Sequence, residues 1–313
     1  MKRFFHSTLV LVLLWTLSGC TMLRVSLTEE MQPLTERVIS GEGKDKILLL
    51  DISGFITSED SSSIFTSKKQ PGILALVREQ LDMARSDKNI KALVLRINSP
   101  GGGVTASDIL YHEIKKFKLD TRIKVLAHIM DMGTSGAYYT ALAADRITAQ
   151  PTSVTGSIGV IMLRLDATGL MQKIGVQAFE ISSGEQKGMG SPFRQFTSDE
   201  RNIFQTMVNS LQGRFVNAVA MERKLTIDTV KKLADGRIYT SQEAQAAGLI
   251  DGISYLDDAI EEAKVLVNLK RASVVTYFRP GEYRANFYSI NLINIEAGGI
   301  TQPGVTFMYL WWP

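Results

Sequence analysis

The run Ile90–Ile97 (IKALVLRI) closes on Asn98-Ser99-Pro100-Gly101-Gly102-Gly103 and passes into a helical pattern, and this junction constrains the fold more than any other stretch. A short apolar run bounded by turn residues reads as a strand buried on both faces. Two further runs, Ile47–Ile52 and Ile123–Ile129, have the same character. Between them, Ile73, Leu74, Leu76, Val77, Leu81 and Ala84 recur on one helical face after Pro71-Gly72. A second helix is expected from about Thr105, with Asp108 in a variant capping box and Ile109, Leu110, Ile114 and Phe117 as its apolar stripe. Strand and helix in alternation argue for an α/β layer structure whose chemistry sits in loops at the carboxyl ends of the strands. Downstream, Thr197-Ser198-Asp199-Glu200 caps a long helix reaching about Glu222. Shorter helices fit 227–234, 241–247 and 255–266, and a late strand fits 272–278.

The N-terminus is of a different kind. Lys2 and Arg3 precede an apolar run over Leu9–Leu17 that ends Leu17-Ser18-Gly19-Cys20, a secretory signal too short to span a bilayer comfortably. Its ending resembles the lipobox of bacterial lipoproteins, which implies cleavage before Cys20 and acylation of that thiol. Cys20 is the only cysteine of 313 residues, so no disulfide supports the fold and stability rests on the hydrophobic core. Loss of residues 1–19 takes two positive charges off a formal net charge of +3, a balance that gives no reason to expect a nucleic-acid partner. The expected organisation is a signal peptide over 1–19, a tether over 20–45, a folded domain over 46–270 and an extension over 271–313. The dense apolar end, Phe307–Trp312, should dock somewhere: an oligomer-packing strand is the first expectation, a plug in a substrate groove the second.

Ser135 follows the third apolar run and enters a helix within Met132-Gly133-Thr134-Ser135-Gly136-Ala137-Tyr138-Tyr139. It is either a helix N-cap or a presented hydroxyl nucleophile. A nucleophilic serine needs a base, and beyond the signal only His112 and His128 are histidines. His112 fits a solvated helix surface. His128 lies on the strand leading towards Ser135 and stays open as a rival base. The other candidate is Lys187, in Ser183-Gly184-Glu185-Gln186-Lys187-Gly188, a glycine-rich loop expected after a short strand; burial would let its amine take a proton, whereas a close Glu185 would hold it charged. The glycines after Ile97 leave backbone N–H groups free to face an oxyanion or a phosphate, although neither nucleotide-binding glycine spacing is present.

Taken together, Asn98-Ser99-Pro100-Gly101-Gly102, Thr134-Ser135-Gly136-Ala137-Tyr138-Tyr139, Gly156-Ser157-Ile158-Gly159-Val160 and Ser183-Gly184-Glu185-Gln186-Lys187 resemble the signal peptide peptidase A family of Ser/Lys peptidases, in its short single-unit form. The resemblance covers about Lys46 to Leu266 and implies a Clp protease/crotonase-like layered fold. It implies Ser135 as nucleophile, Lys187 as general base, and the N–H groups of Gly102 and Gly136 as the oxyanion hole. It implies no metal or cofactor, peptide substrates such as remnant signal peptides, and a homo-oligomer in which serine and lysine come from neighbouring copies. Ala137 stands where the family commonly has glycine, and the lipobox stands in place of a transmembrane anchor. With lipidated Cys20, the expected location is the bacterial cell envelope, on the periplasmic side of the inner or outer membrane in a Gram-negative cell. Two other readings remain: a non-catalytic envelope scaffold, and a crotonase-like acyl-CoA enzyme, against which export argues.

Overall fold

In the computed structural model, residues 32–59, 61–62, 69–280, 286, 288 and 306–310 are described. The signal peptide, Cys20 and the first part of the expected tether lie outside them. The strands are β1 (Thr35–Ser40), β2 (Lys46–Ser53), β3 (Ser61–Ser62), β4 (Lys69–Gln70), β5 (Ile90–Ser99), β6 (Gly101–Gly103), β7 (Lys124–Thr134), β8 (Arg146–Ala149), β9 (Val154–Gly156), β10 (Ile161–Leu163), β11 (Ile238–Thr240), β12 (Gly252–Ile253), β13 (Ser273–Phe278) and β14 (Thr306–Leu310). The helices are α1 (Ile73–Ser86), α2 (Val104–Thr121), α3 (Gly136–Ala141), α4 (Thr168–Ile174), α5 (Ser198–Arg223), α6 (Ile227–Leu233), α7 (Ser241–Ala246) and α8 (Leu256–Leu266).

The main sheet runs β1-β13-β2-β5-β7-β8-β12, with β9 pairing the end of β7 and β11 pairing β9. Strands β13, β2, β5, β7, β8 and β12 are mutually parallel, which requires crossovers and explains why β2 and β5 are nearly continuous apolar runs. Alternate residues serve two faces. Ile47, Leu49, Ala92, Val94 and Leu126 pack against Leu256, Ala259, Ile260 and Ala263 of α8. Leu48, Leu50, Ile52, Leu93, Leu95 and Ile97 face the larger core shared with α1, α2, α3 and α5. This is the Clp protease fold expected from the motifs, and every long strand ends at the same rim, where Ser135 and the glycine loop lie.

Three local expectations change. The body begins before Lys46, because β1 pairs antiparallel with β13 and Leu34 is buried, so part of the supposed tether and part of the supposed extension form the edge of the sheet. Helix α2 starts at Val104 on Gly103 with no side-chain cap. Asp108 instead accepts a hydrogen bond from Tyr139 Oη at 2.8 Å and a forked pair from Arg214 Nη2 at 2.7 and 2.9 Å. Ile109 is exposed while Leu110, Ile114 and Phe117 are buried, since the helical period puts Ile109 off the stripe they share. The caps of α5 and α7 form as reciprocal boxes, Thr197 with Glu200 and Thr240 with Glu243. Among the described residues no helix is long and apolar enough to cross a membrane.

Candidate active site

Ser135 joins β7 to α3 with φ 52° and ψ −116°, a conformation that costs a non-glycine residue energy and persists only where the surroundings hold it. The surroundings do so. Strand β9 pairs with the last residues of β7, Thr134 opposite Gly156, and the Ser135 N–H donates to the Gly156 carbonyl at 2.7 Å. Gly156 and Ser157 also have positive φ, which turns the chain sharply away below the serine. Ser135 occupies the N-cap position of α3, yet its side chain makes no cap hydrogen bond. Its Oγ is buried without a hydrogen-bond partner among the described residues. A capping serine would spend its hydroxyl on the helix; this one keeps it uncommitted, so the capping reading fails.

The glycine loop is locked from the other side. The Ile56 N–H donates to the Gly101 carbonyl and the Gly103 N–H to the Ile56 carbonyl, each at 2.9 Å. Those bonds use the groups flanking Gly102 on the Ile56 side and leave the Gly102 N–H to face the opposite way. Gly101 has φ 102°. A methyl built on Gly102 would overlap the Ile56 carbonyl, and one built on Gly136 would overlap Ser107 Oγ while lying 3.2 Å from the Gly102 nitrogen. Gly102 and Gly136 are therefore neighbours at close approach, as two donors to one oxyanion must be. Ser107, which no motif singled out, donates to the Gly103 carbonyl at 3.0 Å and fills the space behind Gly136.

Lys187 is not beside them. It is exposed, on a series of turns between Gly184 and Ser191, and no strand precedes that loop. The unpartnered Ser135 Oγ means that no amine of the same chain reaches it. His128 does not reach it either. That ring is fully buried in β7, its Nδ1 lies 2.8 Å from Thr148 Oγ1, and its Nε2 has no partner among the described residues. Burial pushes its pKa down to about 4, with Asp257 of α8 a weaker opposing influence and the buried Arg96 opposite it in register on β5. His112 is half-buried on α2, away from this turn.

The depressed His128 value has a sign that can be checked. The unfolded chain takes up this proton near pH 6.5 and the folded chain only near 4, so lowering the pH through that window favours unfolding. His128 should remove about 3 kcal/mol of stability between pH 7 and pH 4. The acid slope of denaturant-midpoint stability should be flatter by that amount in His128→Asn; equal slopes would mean that His128 stays neutral in neither state or both.

The chain matches two family descriptions: Peptidase family S49 over residues 117–270 and Clp protease over 51–154. A protein of Enterococcus faecium named as a signal peptide peptidase SppA is 36% identical over 246 residues, 78% of this chain and 70% of its own length. A protein of Methanocaldococcus jannaschii named as a protease is 34% identical over 279 residues, 88% of this chain and 87% of its own length. The chloroplastic serine protease SPPA of Arabidopsis thaliana is 32% identical over 245 residues, which span 76% of this chain and 35% of that protein. With a strained serine at a strand-to-helix turn, facing two close-packed glycines, the chain belongs to peptidase family S49 and is a serine protease.

Proposed function

We propose that the protein is a Ser/Lys endopeptidase of the cell envelope, tethered to a membrane by lipidated Cys20 and cutting extended apolar peptides such as remnant signal peptides. The observation that carries the reading is the buried, unpartnered Oγ of Ser135 beside the amides of Gly102 and Gly136. In this mechanism Ser135 Oγ attacks the scissile carbonyl carbon, and Lys187 takes the hydroxyl proton. The carbonyl oxygen, now an oxyanion, is held by the two glycine N–H groups. Collapse of the tetrahedral species expels the amine, which leaves with the lysine's proton, and water then hydrolyses the serine ester by the same sequence. The tether is supported by the charged start, the apolar run and the Leu17-Ser18-Gly19-Cys20 ending.

Lys187 can act as a base only if shielded from water, and one copy of the chain leaves it exposed. The segment that carries it supports a second copy as its partner. Leu170, Ile174, Val176, Phe179 and Ile181 are all exposed there, Phe179 at 86% and Ile181 at 101%. A contiguous apolar stretch of this kind favours association. Docked on a neighbouring copy it would bury those side chains and bring Lys187 to a Ser135 that lacks a base. A fluorophosphonate probe tests the reading: labelling of Ser135, located by peptide mass and lost in Ser135→Ala, is expected. No labelling of assembled protein, with or without residues 303–313, would favour the scaffold reading.

A further inference from the structure

Strand β14 is the middle strand of a small three-stranded sheet, β10-β14-β6, antiparallel to both neighbours. Its outer strands belong to the site: β6 is the glycine loop, and β10 follows the Gly156–Val160 turn. Tyr309 pairs with Gly102, Met308 with both Gly103 and Ile161, and Leu310 with Gly101. Without β14 the two edges would stand one strand apart, which is the geometry of a slot for an extended peptide bound through its backbone.

Within that slot the tail is placed as a substrate would be. A methyl built on Gly101 would overlap the Tyr309 carbonyl oxygen, and one built on Gly136 would lie 3.1 Å from it. The Tyr309 carbonyl thus projects between the glycines whose amides face the oxyanion position. The Tyr309 side chain is fully buried, its ring stacked on Tyr139 at 5.3 Å and tilted against Phe215 at 4.7 Å. Its hydroxyl donates to the Leu211 carbonyl of α5 at 3.0 Å. Tyr139 is itself held by Asp108, and Asp108 by Arg214, so the pocket wall is fixed before anything enters it.

We infer that the peptide groove contains a tyrosine-accepting subsite built by Tyr139, Phe215 and the Leu211 carbonyl, and that the chain's own C-terminal strand fills it with Tyr309 and so competes with substrate. The inference rests on the peptidase reading of the same site. The aromatic walls select a flat side chain, and the carbonyl at the far end selects one that carries a hydroxyl.

Two measurements test it, one of which needs no catalysis. In Tyr309→Ala, and in a chain lacking residues 303–313, the KM for a tyrosine-containing peptide should fall several-fold at unchanged kcat and oligomer size, as expected when a competing occupant is removed. The second uses the chain lacking residues 303–313 and carrying Ser135→Ala. It should bind a fluorescent peptide of residues 303–313, with about three- to tenfold weaker binding when the tyrosine becomes phenylalanine. Binding should weaken further, more than about tenfold, when it becomes alanine. Unchanged KM in both variants, absence of peptide binding, or equal affinity for all three peptides would overturn the inference, as would loss of assembly in both variants. Binding with the expected order but no cleavage or labelling in any form would instead count against the peptidase reading alone.

Discussion

Ser135→Ala abolishes peptide hydrolysis, with kcat/KM falling by roughly 10³-fold or more, and the folded protein is no less stable for it. The two halves of that expectation come from one observation. Because Ser135 Oγ has no hydrogen-bond partner among the described residues, removing it strands no donor or acceptor. The backbone at φ 52° is no easier for alanine, so the strain stays and the fold is unchanged. A serine retained in a strained, buried place where it contributes nothing to stability is a serine retained for its reactivity. Lys187→Ala should match the loss of activity, again without destabilisation, because the residue is exposed. Rates on a peptide substrate and a thermal unfolding midpoint measure both. Full activity in either variant would remove that residue from the mechanism.

The glycine loop gives the second large effect. In Gly102→Ala the new methyl would overlap the Ile56 carbonyl and come within 2.6 Å of the Ile56 nitrogen, so β6 must move. The shift takes the Gly102 N–H away from the position it shares with Gly136. Loss of one oxyanion donor lowers kcat by roughly 10²- to 10³-fold, and the overlap costs about 1–3 kcal/mol of stability. Gly103→Ala is the control. Its φ is −61°, and the nearest atoms to a methyl there, Ala106 Cβ and the Ile56 carbonyl oxygen, are both 3.8 Å away. That variant should be active and at least as stable as the parent. If the two glycines respond alike, the loop is a turn and not an oxyanion hole.

How much of this the sequence discloses depends on whether the information is local. Strands β2, β5 and β7 are legible because burial on two faces leaves unbroken apolar runs, and the Thr197 and Thr240 caps are legible because each box closes within four residues. Strand β1 is not, because Thr35–Ser40 lies at the sheet edge, its residues are mostly exposed, and its apolar pattern is too weak to distinguish it from a tether. The apolar density of the C-terminal end is plain in the sequence, but its destination is not. The partner strand is Gly101–Gly103, which has no side chains to announce a complement some two hundred residues away. Asp108 looks like a cap at short range and is claimed by Arg214 at long range. Ser135, Gly102 and Gly136 meet within one chain because a strand end, a loop and a helix start converge there. Lys187 has no such constraint: it stands on exposed turns whose apolar neighbours lack a partner in the single chain.

The central claim is that a seam between copies completes the site, and co-expression of Ser135→Ala with Lys187→Ala tests it most directly. Each variant alone is inactive. In mixed assemblies, a junction that takes Ser135 from one copy and Lys187 from its neighbour has both groups, and random mixing at equal amounts restores about a quarter of the parental rate per junction. Restored hydrolysis at that level, with fluorophosphonate labelling confined to the Lys187→Ala chains, is the predicted result. Mixed assemblies of normal size that remain inactive would contradict the account and place nucleophile and base within one chain.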